Sequence, residues 1–186
     1  MPPSPIHLAS AMGALYDGGL VACPTEAVWG LSCDPFDALA VSNLLSVKRR
    51  PVAKGLILVA STIDQLAFLL DDVTTTQREL LEASWPGPST WLVPHRGRVP
   101  AWISGDSKSV AVRVSAHIAV AALCDAWHGP LVSTSANPAG ALPAKQAFQV
   151  RRYFGHRVDF VLPGRLGDSS APTTIRDLIS GETIRA

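Results

Sequence analysis

Val132-Ser133-Thr134-Ser135-Ala136-Asn137 reads as the end of an apolar strand that runs straight into hydroxyls and a carboxamide. A strand is expected to be apolar or to alternate, and Ser-Thr-Ser-Ala-Asn does neither. Small polar groups in a row make poor core, yet they suit the carboxyl end of a strand. In open α/β sheets that is where ligands bind. A second polar interruption, Pro24-Thr25-Glu26, follows the apolar Gly19-Leu20-Val21-Ala22-Cys23. Between the two lies Lys48-Arg49-Arg50. Two hydroxyl-rich strand ends and one cationic cluster predict a site for a phosphorylated ligand.

Outward from these segments, helical and extended patterns alternate. Apolar spacing predicts a helix over Ile6–Tyr16, stopped by Gly18-Gly19, then a buried strand over Leu20–Cys23. Thr25–Pro35 reads as a structured loop. Asp37 caps a helix from Ala38 to about Lys48, with Leu39, Val41, Leu44, Leu45 and Val47 as its apolar face. Pro51 ends it. Gly55–Ala60 is a continuous apolar strand, and Thr62–Leu70 and Thr75–Ser84 are helical. Strands follow at Thr90–Val93 and Ser109–Val114, a helix at Ile118–Trp127 and a strand at Leu131–Thr134. The last elements are a helix over Ala144–Phe154 and strands over Arg157–Leu162 and Thr173–Leu178. This order implies an α/β fold, and strands without an intervening helix imply a mixed sheet. No repeat or linker divides the chain, so residues 1–186 are expected to form one domain.

Composition limits the function classes. The chain has 186 residues, 47% hydrophobic and only 17% charged, which excludes a disordered chain. A formal net charge of +1 gives no general argument for nucleic-acid binding. Twelve of the sixteen cations are arginine, the side chain suited to bidentate contacts with phosphate or carboxylate. Cys23, Cys33 and Cys124 form no close pair, so a disulfide framework and a zinc site are not expected. No secretory signal pattern opens the chain, and no apolar run approaches the ~20 residues of a membrane helix. A cytoplasmic protein is expected.

Each candidate residue has a plain reading beside a functional one. Lys48, Arg49 and Arg50 are either a solvated helix end that complements the macrodipole or a polyphosphate clamp, with Lys48 as point charge and Arg50 as fork. Lys54 adds a further cation. Ser133, Ser135 and Asn137 are either a turn bonded to its own backbone or ligands for phosphate oxygens and a phosphate-bound Mg²⁺. Thr25 and Glu26 cap a turn or face a ligand. Arg113, mid-strand in Val110-Ala111-Val112-Arg113-Val114, needs exposure, a partner such as Asp106, or an anionic ligand. Thr173-Thr174 is a last hydroxyl pair at a strand start. Walker-type, Gly-x-Gly-x-x-Gly and His-Glu-x-x-His motifs are absent. The five histidines are scattered. The five tryptophans read as core or pocket wall, with Trp29 in the Thr25 loop the one to watch.

Together these segments resemble one family. Pro24-Thr25-Glu26-Ala27-Val28-Trp29-Gly30-Leu31, Lys48-Arg49-Arg50-Pro51, Trp85-Pro86-Gly87-Pro88-Ser89-Thr90, Val112-Arg113-Val114, Ser133-Thr134-Ser135-Ala136-Asn137 and Pro172-Thr173-Thr174-Ile175 follow, in order, the motifs of the threonylcarbamoyl-adenylate synthases, the YrdC/TsaC-type domain. Any one motif is weak; six in order over nearly the whole chain are specific. The chain is similar to the short bacterial form. The resemblance implies a twisted α/β sheet around a large, positively charged concave cavity. It implies a nucleotidyltransferase that converts L-threonine, bicarbonate and ATP, with Mg²⁺, to threonylcarbamoyl-AMP and pyrophosphate. The product would serve N6-threonylcarbamoyladenosine formation next to the anticodon of tRNA, directly or through a downstream transfer complex. By the same resemblance Lys48 and Arg50 are catalytic and hold the triphosphate. Ser133, Ser135, Asn137, Arg113 and Thr173 bind the nucleotide, and Ser135 and Asn137 stand near Mg²⁺. Thr25, Trp29 and Arg113 bind threonine.

Two departures stand out: Thr173 replaces the usual Ser, and Pro138-Ala139-Gly140 removes a hydroxyl after Asn137. Two other functions remain open. One is a non-catalytic tRNA or double-stranded-RNA binder that uses the same cavity. The other is a carbamoyl-adenylate enzyme like the related domains of longer hydrogenase-maturation chains.

Overall fold

The computed structural model describes residues 2–169 and 173–185. Pro172, the first residue of the last motif, lies outside them. In chain order the helices are α1 (Pro5–Tyr16), α2 (Ala38–Lys48), α3 (Ala67–Leu70), α4 (Thr75–Ser84), α5 (Ala101–Ser104), α6 (Ile118–Trp127) and α7 (Ala147–Phe154). The strands are β1 (Val21–Pro24), β2 (Trp29–Ser32), β3 (Ile57–Ala60), β4 (Ser89–Pro94) and β5 (Ser109–Val114), then β6 (Leu131–Ser135), β7 (Phe160–Val161), β8 (Thr174–Asp177) and β9 (Thr183–Arg185). They form a nine-stranded sheet in the order β7-β1-β2-β6-β3-β5-β4-β8-β9. The β1/β7, β3/β5 and β4/β8 pairs are parallel and the others antiparallel, so the sheet is mixed as the pattern implied.

Residue alternation explains how the site arises. Side chains two apart on a strand share a face. On one face Leu20, Ala22, Leu58, Ala60, Val112 and Val132 join the larger core, with α2 (Val41, Leu44), α4 (Leu81) and α7 (Val150, Phe154) packed over them. On the other face Val21, Cys23, Val59 and Leu131 pack beneath Ala11 and Leu15 of α1 and Val120 and Leu123 of α6. Each fully buried Leu or Val contributes roughly 1.5–3 kcal/mol. β1, Leu58–Ala60 of β3 and Leu131–Val132 of β6, buried on both faces, are therefore the anchor of the fold. α1 and α6 cover only part of that second face. Ile57, Ala111, Arg113, Ser133 and Ser135 share it and line a cavity instead.

Several elements differ from the sequence reading. Trp29–Ser32, expected as loop, is β2, paired antiparallel with β1 across Cys23↔Gly30. It shows no alternation because all four residues are buried. Leu39 is 82% exposed and off the apolar face of α2, whose inward residues are Ala40, Val41, Leu44 and Val47. α7 begins three residues later than expected, because the backbone of Ala144 is engaged with Trp29 and Ala136. The strand expected over Arg157–Leu162 is only Phe160–Val161. Thr62–Leu70 splits into a 3₁₀ turn and α3. α5 and β9, four and three residues long, carry no pattern strong enough to read.

Candidate active site

The cavity, about 450 Å³, is the uncovered part of the sheet face shared with α1 and α6. Cross-strand register sets Ser133 opposite Ile57, Ile57 opposite Ala111 and Ala111 opposite Leu92. This row makes a floor that is apolar except at Ser133. Because β6 is antiparallel to β3, the carboxyl end of β6 lies beside the amino ends of β3 and β5. The carboxyl-end rule for open parallel sheets thus holds for β6 and for β1, whose following residues Thr25 and Glu26 line the cavity, and not for the amino ends of β3 and β5. Arg50, Lys54, Arg113 and Arg185 and one carboxylate, Glu26, stand among the described lining residues.

The end of α2 sorts its three cations. Arg49 adopts left-handed backbone angles (φ 52°), and Arg50 N donates to Leu45 O, closing the helix. The turn sends neighbouring side chains in different directions. Lys48 goes inward, only 5% exposed, and its Nζ donates to the backbone oxygens of Ser135 and Asn137. It does not line the cavity; it fixes the β6 end from behind. Burial, then the neighbouring Arg50, lowers its pKa to about 8. Arg50 lines the cavity, with Nε and Nη2 donating to Gly55 O and Nη2 also to Lys54 O, which leaves Nη1 out of these bonds. Burial lowers the Arg50 pKa from its ordinary value. Arg49 is exposed.

Ser133 and Ser135 line the cavity; Asn137 does not. Its Oδ1 accepts from Ser135 Oγ at 2.6 Å, and its Nδ2 donates to the backbone oxygens of Pro138 and Ala141. The carboxamide is committed to shaping the 137–141 turn. The Ser135 hydroxyl, its hydrogen spent on Asn137, presents only acceptor lone pairs. Among the described residues no group of three or more His, Cys, Asp and Glu could hold a metal ion. Two neutral oxygens make a poor Mg²⁺ site by themselves, so an ion would rely on charge from phosphates.

Thr25 and Arg113 line the cavity as expected. Thr25 Oγ1 donates to Val28 O at 2.7 Å, locking the loop between β1 and β2. Gly30 lets this loop close, since a Cβ there would meet Thr25 Cγ2 at 3.1 Å. Arg113 pairs with Glu26 at 3.3 Å, not with Asp106. Thr173 lines the cavity and its hydroxyl is 3.0 Å from that of Thr90. Trp29 is a correction. Its ring is 3% exposed within the larger core, where a large aromatic surface is best placed, and it is not a cavity wall. Its backbone serves instead, bonding Ala144 O and Ala136 N. Sequence reasoning read Glu26 as a turn cap or ligand-facing group and did not pair it with Arg113; it gave no role to Arg185 on exposed β9, where no periodic signal points.

The comparisons agree with this fold. The family model for Sua5, YciO and YrdC, described as "Telomere recombination", matches residues 13–186. A threonylcarbamoyl-AMP synthase of Stutzerimonas stutzeri is 56% identical over 168 residues, 90% of each chain. One of Cellvibrio japonicus is 50% identical over 175 residues, 94% of this chain and 93% of that one. The crystal structure of P. abyssi Sua5 complexed with L-threonine superposes with a TM-score of 0.86 at 30% identity, over 96% of this chain and 52% of that one. The fold is a mixed α/β sheet domain whose cavity is lined, among the described residues, by four cations and one carboxylate. The chain belongs to the Sua5/YciO/YrdC family.

Proposed function

We infer that this protein is a threonylcarbamoyl-AMP synthase, a nucleotidyltransferase that joins L-threonine, bicarbonate and ATP and releases pyrophosphate. One observation carries the reading. Arg50, Arg113, Ser133, Ser135, Thr25 and Thr173, drawn from five separate stretches of chain, all line one cavity with an apolar floor. The names of relatives 50–56% identical support the same reaction.

The chemistry needs what the cavity offers. A carbamate oxygen of N-carboxy-threonine attacks the α-phosphorus of ATP; the new O–P bond forms as the bond to the pyrophosphate oxygen breaks. Two anions must approach, so catalysis rests on positioning and charge neutralisation rather than on a side-chain nucleophile. Arg50, with Nη1 free of the Gly55 clamp, and Lys54 receive phosphate charge. Lys48 holds the β6 end and adds its charge from behind Ser135. Ser133 offers its hydroxyl to phosphate oxygens. Mg²⁺ enters on the nucleotide as part of the substrate. Ile57, Ala111 and Leu92 suit a flat base. Arg113 takes the threonine carboxylate as an Arg–carboxylate pair. The product is a reactive mixed anhydride, so a tRNA-modifying transfer step must consume it. The cytoplasm, where ATP and tRNA meet, is the compartment implied; among the described residues no helix is long and apolar enough to cross a membrane.

Mass spectrometry of a reaction with Mg²⁺-ATP, bicarbonate and L-threonine tests the reading. A threonylcarbamoyl adduct of AMP is expected. Adenine nucleotides without that adduct, from a folded protein, would remove it.

A further inference from the structure

Arg113 and Glu26 form a buried ion pair whose local construction exceeds what the fold requires. Arg113 sits mid-strand on β5 with a side chain only 8% exposed, and Glu26 is 14% exposed. A guanidinium this buried is costly without a partner. The partner comes from a loop, and that loop is tied down on every side. Thr25 N and Oγ1 donate to Val28 O, Gly167 N donates to Thr25 O, and Ser169 N donates to Glu26 O.

The carboxylate has a polar neighbour at each oxygen, with a hydrogen bond at Oε1 only. Ser115 Oγ donates to Oε1 at 2.6 Å, while Arg113 Nη2 approaches Oε2 at 3.3 Å. Ser115 lies two residues beyond Arg113, so the same strand face presents both groups to one carboxylate. The Ser115 hydroxyl is itself oriented, because its oxygen accepts from His117 N at 3.1 Å. The Arg113 contact is Nη2 to Oε2. Arg113 Nε and Glu26 Oε2 are both buried without a hydrogen-bond partner. The pair is therefore not the two-pronged fork that would use up the guanidinium. The pair anchors the guanidinium in the wall of the cavity that Arg113 lines.

We propose that Glu26, set by Ser115, is a positioning residue that aims the Arg113 guanidinium at the carboxylate of the amino-acid substrate. This rests on the reading of Arg113 as that carboxylate's receptor. The fixed negative charge also distinguishes this end of the cavity from the Arg50 and Lys54 end. It disfavours polyphosphate beside Arg113 and leaves room for one carboxylate.

Threonine and ATP KM values and thermal melting, measured for wild type, Glu26→Gln, Ser115→Ala, Arg113→Lys and the Glu26→Gln/Arg113→Lys double variant, test this. Glu26→Gln and Ser115→Ala should each raise the threonine KM about 10- to 100-fold, the scale of a misaimed binding group, with the ATP KM within about twofold. In the Arg113→Lys background Glu26→Gln should add little, because the two act as a unit. A wild-type threonine KM in Glu26→Gln, beside a raised one in Arg113→Lys, overturns the positioning role and leaves the Arg113 reading intact. An unchanged threonine KM in Arg113→Lys overturns both. Equal loss for threonine and ATP assigns Glu26 a general structural part and also overturns the proposal. If Glu26→Gln does not fold, Ser115→Ala carries the same comparison alone.

Discussion

Lys48 and Arg50 are two residues apart, yet the left-handed turn at Arg49 gives them different tasks. Arg50 lines the cavity; Lys48 supports the strand end that lines it too. Arg50→Ala and Lys48→Ala should each lower turnover about 100-fold, the scale of losing one preorganised donor. Arg49→Ala should stay near wild type when pyrophosphate release is measured for all three variants, and an equal loss there would break the assignment. Lys48 also predicts a pH dependence. Its pKa in the folded protein, about 8, lies below the ordinary 10.5, so folding favours the neutral amine. As pH rises through about 8 the ligand-free site loses that charge, while stability from this group rises rather than falls. ATP affinity should therefore weaken above about pH 8 with no matching drop in melting temperature. A parallel drop in both would point to general unfolding.

At the scale of elements, the segment at 52–56 supplies the carbonyls that hold Arg50, and Gly105 presses against it. Gly105 has φ 62°, and a Cβ there would lie 2.6 Å from Gly55 N and close to Ala53 O. Gly105→Ala should destabilise the protein by about 2 kcal/mol or more, through strain and clash together, and weaken ATP binding by displacing the Arg50 clamp. Thr74→Ala is the contrasting case. It removes the capping box at the start of α4 and should lose about 1 kcal/mol by denaturant unfolding with turnover intact. The elements also show what the sequence made legible. α4, α6 and β5 were readable because caps and apolar spacing mark them. β2 was not, because a four-residue strand buried on both faces has no alternation to detect. β9, fully exposed, has no apolar signal, although Arg185 brings it to the cavity.

For the whole molecule, the motifs predicted which stretches would meet but not which side chains would face the ligand. Thr25, Arg50, Arg113, Ser133, Ser135 and Thr173 reach the cavity, while Lys48, Asn137 and Trp29 turn into the structure behind it. Spacing along a chain carries no record of such facing; the sheet register and the Arg49 turn decide it. One network outside the cavity makes stability depend on pH. His117 Nε2 donates to Arg165 O and its Nδ1 accepts from Ala119 N at the start of α6, which requires the neutral ring. Burial lowers its pKa below the ordinary 6.5. Its contribution is complete above about 6.5 and is lost as pH falls from there toward the folded value. His117→Asn, which can still cap the helix, should flatten the decline in melting temperature between pH 7 and 5. An unchanged slope would contradict this.

The central claim is that cations and hydroxyls gathered on one open sheet face bring a carbamate and a triphosphate together. Pyrophosphate release from Mg²⁺-ATP with bicarbonate, with and without L-threonine and with serine as control, tests it most directly. Release should depend on threonine and be weak with serine. No threonine-dependent release, from folded protein that still binds ATP, would contradict it.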